Sequence, residues 1–305
     1  MRRLALVLAL TAAGASVAAV TSDQQVFRGR LDTVPVYTTV TDKAGRLVTD
    51  LTREDFQVFD NGKVQQITAF DNTPQPIRLI VMLDVSGSMA PNLRLMQIAC
   101  DQLFKHLRPD DLVKIGTFGN DITIAPTFTN DVAILRASVP TSISPVAPTP
   151  LYRALDQAQS AFADVQGRRV VLVLSDGVDS RGFTFKERLM TVVEIIDRAQ
   201  REDIMMYGIG LRGAATLGSG GFDASVSAEL PRLAADTGGG FYEILPRDDL
   251  GAAFAKVADE LHRQYLIGFV APAADGKVHK LEVKVNVADM KPRARKTYQA
   301  PKSGG

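Results

Sequence analysis

The sequence predicts an α/β protein: a doubly wound, mostly parallel sheet with helices on both faces, inserted between two β-rich flanks that pair as a small second domain. Three observations predict it. From Ile77 to Gln264, near-continuous apolar strands alternate with amphipathic helices, the pattern of a parallel sheet covered on both faces. On either side, over residues 33–74 and 265–300, the hydrophobic period falls to two. Each flank is too short to bury a core of its own, so pairing of the two is the arrangement that hides their apolar faces.

The elements follow in order. Residues 1–19 have the layout of an export signal: Arg2 and Arg3, then the apolar run Leu4–Leu10, then small residues with a cleavage site at Ser16-Val17-Ala18 or Val17-Ala18-Ala19. No cysteine at that junction suggests a lipoprotein, and no other apolar stretch is long enough to span a bilayer. The mature chain is therefore expected in a periplasm or outside the cell. In the N-terminal flank, Phe56 and Val58 alternate with Gln57 and Phe59, and Asp60-Asn61-Gly62 is a hairpin turn because Asn and Gly tolerate positive φ. "DNTPQP" breaks the pattern as a linker.

Within the central stretch, strands are predicted over Ile77–Leu83, Leu112–Phe118, Ile122–Phe128, Arg169–Leu174, Met205–Ile209 and Phe241–Ile244. Helices are predicted over Leu93–Leu107, Leu151–Val165, Phe185–Ala199, Ala224–Thr237 and Asp248–Leu261. In the C-terminal flank Tyr265, Ile267 and Phe269 alternate, and Leu281, Val283 and Val285 alternate with Lys280, Glu282, Lys284 and Asn286. There is no internal repeat.

Composition narrows the function. Of 305 residues, 46% are hydrophobic and 23% charged, ordinary for a globular protein. A net charge of +1 gives no electrostatic reason to expect nucleic acid. With no Trp, a carbohydrate site of stacked indoles is excluded. Cys100, the one cysteine, falls on an apolar helical pattern with Leu95, Ala99, Leu103 and Leu107 and is expected as a buried hydrophobe. His106, His262 and His279 are scattered, are expected on helix or strand surfaces, and form no cluster.

The chemistry is expected at "LIVMLDVSGSM". A buried strand runs into Asp84, and Ser86 and Ser88 follow two and four residues on. Asp176 follows a second buried strand. Thr149, in "SPVAPTPLYRAL", stands just before a helix. In a doubly wound sheet all three segments fall at one edge, where ligands bind. They supply two carboxylates and three hydroxyls, an all-oxygen set suited to a hard cation such as Mg²⁺, with water completing the shell. Without His or Cys nearby, zinc is disfavoured. Neutral hydroxyls leave the ion able to accept a further carboxylate. Asp121 and Asp179 are read as turn residues. The Gly-rich segment 211–222 either flanks the metal or is a loop without a role in it.

This combination, D-x-S-x-S, a distant Thr and an Asp after a buried strand, resembles the metal-ion-dependent adhesion site of von Willebrand factor A domains, which include the integrin I domains. The resemblance covers about Ile77 to Gln264. It implies a Rossmann-like fold in which Ser86, Ser88 and Thr149 coordinate through hydroxyls while Asp84 and Asp176 act directly or through water. The implied partner is a protein that presents an Asp or Glu carboxylate to the metal, which is Mg²⁺ or another divalent cation such as Mn²⁺ or Ca²⁺. "VTDKAGRLVTDLTREDFQVFDNGKVQQITAF" and "QYLIGF…HKLEVKV…RARKTY" look like the flanks of bacterial, often acidobacterial, exported proteins related to that family. One departure is "APTPLY", where the family often has Gly-Gly-Thr-Pro-Leu-Tyr; the Thr is kept on a stiffer loop.

The resemblance implies a binding module and no enzyme. A phosphohydrolase of the haloacid dehalogenase type is the alternative, but it typically has a second Asp where Ser86 stands and needs a Lys before the later Asp, which "SDG" lacks. A scaffold with a purely structural metal differs from the leading reading only in whether the ion keeps an open position.

Overall fold

The computed structural model describes residues 33–176, 179, 190–211, 228–245 and 248–302. The export signal expected over residues 1–19 lies outside the described residues, as does all of the Gly-rich segment beyond Leu211.

A six-stranded sheet forms the centre. Among the described residues the strands, in chain order, are β1 (Thr33–Thr41), β2 (Phe56–Asp60), β3 (Lys63–Gln65), β4 (Ile67–Asp71), β5 (Ile77–Asp84), β6 (Leu112–Phe118), β7 (Ile122–Ile124), β8 (Arg168–Ser175), β9 (Ile204–Leu211), β10 (Phe241–Ile244), β11 (Tyr265–Val270), β12 (Val278–Val285), β13 (Lys291–Arg293) and β14 (Thr297–Gln299). The central order is β10-β9-β8-β5-β6-β7, parallel except for the antiparallel edge strand β7. Central strands β5 and β8 are buried along nearly their whole length, which is why they read as unbroken apolar runs.

Helices cover both faces. Leu93–Lys105 (α1) and Leu250–His262 (α6) pack on one side with Leu79, Val81, Leu172 and Tyr207. Leu151–Ser160 (α3), Val192–Arg201 (α4) and Glu229–Thr237 (α5) pack on the other with Ile80, Met82, Val171 and Met206. A short helix, Val132–Ala137 (α2), was not foreseen; Asp131 caps it by accepting from the Ala133 amide at 2.8 Å. Along α1 the buried stripe is Met96, Ala99, Cys100, Leu103 and Phe104, while Leu95, expected inside, is half exposed. Cys100 is fully buried, and burial pushes its thiol up to about 12.

Strands that precede the central sheet pair with strands that follow it. β11 lies between β1 and β4, and β12 lies between β14 and β2, giving two four-stranded sheets, β13-β1-β11-β4 and β14-β12-β2-β3. Both sheets contribute to one apolar core of Val36, Phe56, Val58, Ile267, Phe269 and Tyr298, so they form a small sandwich. The β2–β3 turn places Asn61 and Gly62 at φ 46° and 80°, as the hairpin signal requires.

Two histidines depart from the surface positions expected of them. His279 is buried in the sandwich, its Nδ1 2.7 Å from Asp60 Oδ1, because it shares the inward parity of Leu281 on β12. His262 Nε2 lies 2.8 Å from Asp111 Oδ2, beneath the central sheet's entry edge. Sandwich and α/β core also meet through buried polar groups: Glu260 accepts from Tyr207 Oη at 2.5 Å, from Thr39 Oγ1 at 3.2 Å and from Arg293, while Gln264 donates to Thr39 Oγ1 at 2.7 Å.

Candidate functional site

Parallel strands bring their carboxyl ends to one edge of the sheet, and β5 and β8 are direct neighbours with Leu83 opposite Leu174. Asp84 ends β5, and Ser175 followed by Asp176 ends β8. Asp84 is completely buried. Its Oδ1 accepts the Ser86 amide at 2.8 Å, and its Oδ2 accepts the Ser175 hydroxyl at 2.5 Å. The Ser88 hydroxyl donates to Asp176 Oδ1 at 2.9 Å, and the Ser86 and Ser88 hydroxyl oxygens stand 3.2 Å apart. Asp84, Ser86, Ser88 and Asp176 therefore form one connected group.

The fifth residue arrives on a separate loop. The Gly87 amide donates to Ala147 O at 3.0 Å, which ties the loop before α3 to the turn after β5. A Cβ on Gly87 would stand 2.2 Å from Pro145 O, so only glycine permits this approach. Thr149, two residues beyond Ala147, is 7% exposed. Asp179, expected as a turn residue, accepts the Tyr152 amide at 3.1 Å and so helps hold the first turn of the helix that Thr149 precedes.

The electrostatics are one-sided. Burial pushes the Asp84 carboxyl up to about 6, outweighing the hydrogen bonds from Ser175 and Ser86, with the negative charge of Asp176 a smaller contribution in the same direction. Asp176 is raised as well, again by burial, against the opposing bond from Ser88. Among the described residues no lysine, arginine or histidine pairs with either carboxylate. Nor does any group of three or more His, Cys, Asp or Glu stand where it could hold a metal ion, so a cation here would need the hydroxyls as part of its shell. The donor set fits a hard divalent cation: oxygen ligands only, two carboxylates without a cationic partner among the described residues, and two serine hydroxyls already 3.2 Å apart. Ser88 is exposed and Asp176 half-buried, so the group opens to solvent on that side.

Ser175 was missed by sequence reasoning. The signal was present, since it immediately precedes Asp176 at the end of a buried strand. Its role depends on lying beside Asp84 across the β5–β8 register.

Residues 79–178 match the von Willebrand factor type A domain family, a stretch that includes Asp84, Ser86, Ser88, Thr149 and Asp176. No curated protein matches the chain. Among solved structures, an aerotolerance-related membrane protein from Bacteroides fragilis is similar at 20% identity and a TM-score of 0.46, over 61% of this chain and 98% of that one. A von Willebrand factor type A protein from Catenulispora acidiphila is 13% identical with a TM-score of 0.48, over 88% of this chain and 75% of its own. The corresponding domain of the type V pili tip protein Mfa5 from Porphyromonas gingivalis is 16% identical with a TM-score of 0.47, over 61% and 95%.

Proposed function

We propose that this protein is an exported binding module in which a divalent cation, Mg²⁺ or alternatively Mn²⁺ or Ca²⁺, captures an Asp or Glu carboxylate of a partner protein. The observation that carries this reading is the meeting, with serine hydroxyls at the carboxyl edge of the sheet, of two carboxylates that have no cationic side-chain partner among the described residues. Asp84, Ser86, Ser88, Thr149 and Asp176 would hold the ion. The cation's chemistry would be attraction: it neutralises Asp84 and Asp176 and, with neutral hydroxyls around it, accepts one further anionic oxygen. The exposed Ser88 side supports an open position and so favours binding over a purely structural metal. Ser86, standing where a haloacid dehalogenase-type phosphohydrolase would have its acid/base Asp, speaks against that alternative.

Export is supported by the basic, apolar and small-residue order of residues 1–19, and the mature chain is expected to begin near Ala19 or Val20. Among the described residues no helix is long and apolar enough to cross a membrane. Titration calorimetry with Mg²⁺ on the wild type and on Asp84→Ala tests the site. Heat in the wild type, and none in a variant with a native circular dichroism spectrum, is the expected pair. Undiminished Mg²⁺ binding by Asp84→Ala, or partner capture that persists in excess chelator, would overturn the reading; turnover in a general Mg²⁺ phosphatase assay would favour the enzyme.

A further inference from the structure

The start of β8, opposite the carboxylates, opens on a small cavity between the α/β core and the sandwich. Tyr37 and Arg295 line it from the sandwich side, and Arg168, Arg169, Asp203 and Thr237 from the α/β side. The space for the centre of a water-sized sphere is about 10 Å³, room for a single-atom guest.

Its charge is unbalanced. Three guanidinium groups face one carboxylate, Asp203, which is already engaged by Arg295 Nη1 at 2.6 Å. Arg168 is only 5% exposed. Its Nη1 donates to Leu261 O at 2.5 Å, its Nη2 to Gln264 Oε1, and its guanidinium lies 4.5 Å from the Tyr37 ring centroid. All of those partners are neutral, and among the described residues no carboxylate pairs with it. The side chain of Arg169, next to it, makes no hydrogen bond or ion pair among the described residues. The Nε donors of Arg168, Arg169 and Arg295 are each buried without an acceptor. Buried donors in folded proteins normally have a partner, and buried charge normally has a counter-charge. Around this one cavity three buried Nε donors lack an acceptor, and of the three guanidiniums only that of Arg295 has a carboxylate partner among the described residues.

We propose that this cavity binds a small monovalent inorganic anion, chloride being the type, which bridges the sandwich and the α/β core. A spherical anion accepts from several N–H groups at once and supplies the missing negative charge. A water molecule would satisfy two donors and leave the charge imbalance as it is. The confined volume favours a single-atom ion over an oxyanion such as sulfate. The anion would contribute to stability by binding the native state alone, since the cavity's walls come from chain segments more than a hundred residues apart that meet only on folding.

Thermal unfolding of the full mature chain in sodium chloride and in sodium gluconate, at matched ionic strength and constant Mg²⁺, tests this. Chloride to about 0.1 M should raise Tm in a saturable way by roughly 3–6 °C relative to gluconate, for a millimolar site. Arg169→Met, half-buried at the strand's start, should lose that difference, and the exposed control Arg94→Met should keep it. Crystals of the wild type grown with bromide in place of chloride give a readout independent of any variant's folding: an anomalous peak within hydrogen-bonding reach of the Arg168 and Arg169 guanidiniums. Equal Tm in chloride and gluconate, an undiminished response in Arg169→Met, or no bromide peak in the cavity would overturn the proposal.

Discussion

Replacing Asp84 by Asn should make the metal-free protein more stable, although it removes a residue of the candidate site. Asp84 has no exposed surface, and burial lifts its carboxyl from the ordinary 3.8 to about 6. A difference of about 2 pH units, at roughly 1.4 kcal/mol each, means that ionised Asp84 costs the metal-free fold about 3 kcal/mol at pH 7. The sign follows from linkage. A carboxyl whose folded pKa is raised contributes fully below the unfolded value of 3.8, and that contribution is lost as pH rises through about 6. Asn has the same shape, so the Ser86 amide keeps its acceptor, and the Ser175 hydroxyl can turn to accept from the new amide. In chelator at pH 7, Asp84→Asn should therefore unfold about 4–6 °C above the wild type, and the two should converge near pH 4. Magnesium at 10 mM should then raise the wild type alone, by about 1.4–2.7 kcal/mol for a dissociation constant of ~10⁻³–10⁻⁴ M. The measurement is differential scanning calorimetry across pH 4–8 with and without Mg²⁺, at constant chloride. A variant no more stable than the wild type in chelator at pH 7, or one stabilised equally by Mg²⁺, would refute the reasoning.

Gly87→Ala places a methyl group against Pro145 O and should push the Thr149 loop off the turn, costing about 1–3 kcal/mol and weakening Mg²⁺ binding, as read by Tm and calorimetry. Asp111 would be raised by burial alone, but bonds from His262 and from the Arg108 and Ile77 amides prevail and lower it, so its stabilisation is present above pH 3.8 and is lost as pH falls through the lowered value. Asp111→Asn should thus be less stable than the wild type by about 1.5–3 kcal/mol at pH 7 in urea unfolding, with the gap closing in acid. A chain ending at Gln264 lacks β11 and β12, which cover β1, β4 and β2, and should expose Phe56 and Val58 and aggregate; a monomer with an equally protected β2–β3 hairpin in hydrogen exchange would contradict this.

The grouping of the candidate residues was legible in the sequence because they sit at the ends of apolar runs. In a parallel sheet, such ends share an edge whatever the strand order, so Asp84 and Asp176 could be brought together before any register was known. What depends on register was not legible. Ser175 matters only because β8 lies beside β5, and Gly87 only because Pro145 approaches it, contacts spanning 91 and 58 positions. His279 was within reach: it shares the inward parity of Leu281, but its polarity outweighed its position in the reading. On α1 the expected stripe holds at Ala99, Cys100 and Leu103, and departs at Leu95, where Met96 turns inward instead.

Strand β8 ties these observations together. It begins with Arg168 and Arg169 in a cavity short of negative charge and ends with Ser175 and Asp176 in a group short of positive charge. A core strand must be apolar along its length, so polar residues are confined to its two ends, and the parallel sheet gathers like ends together. The eight residues of β8, at about 3.3 Å each, hold the two ends roughly 23 Å apart, far beyond ion-pair distance. Neither end can therefore neutralise the other. On the two proposals made above, a cation would bind at the carboxyl edge and an anion at the entry edge, and the stabilities the two ions confer should add.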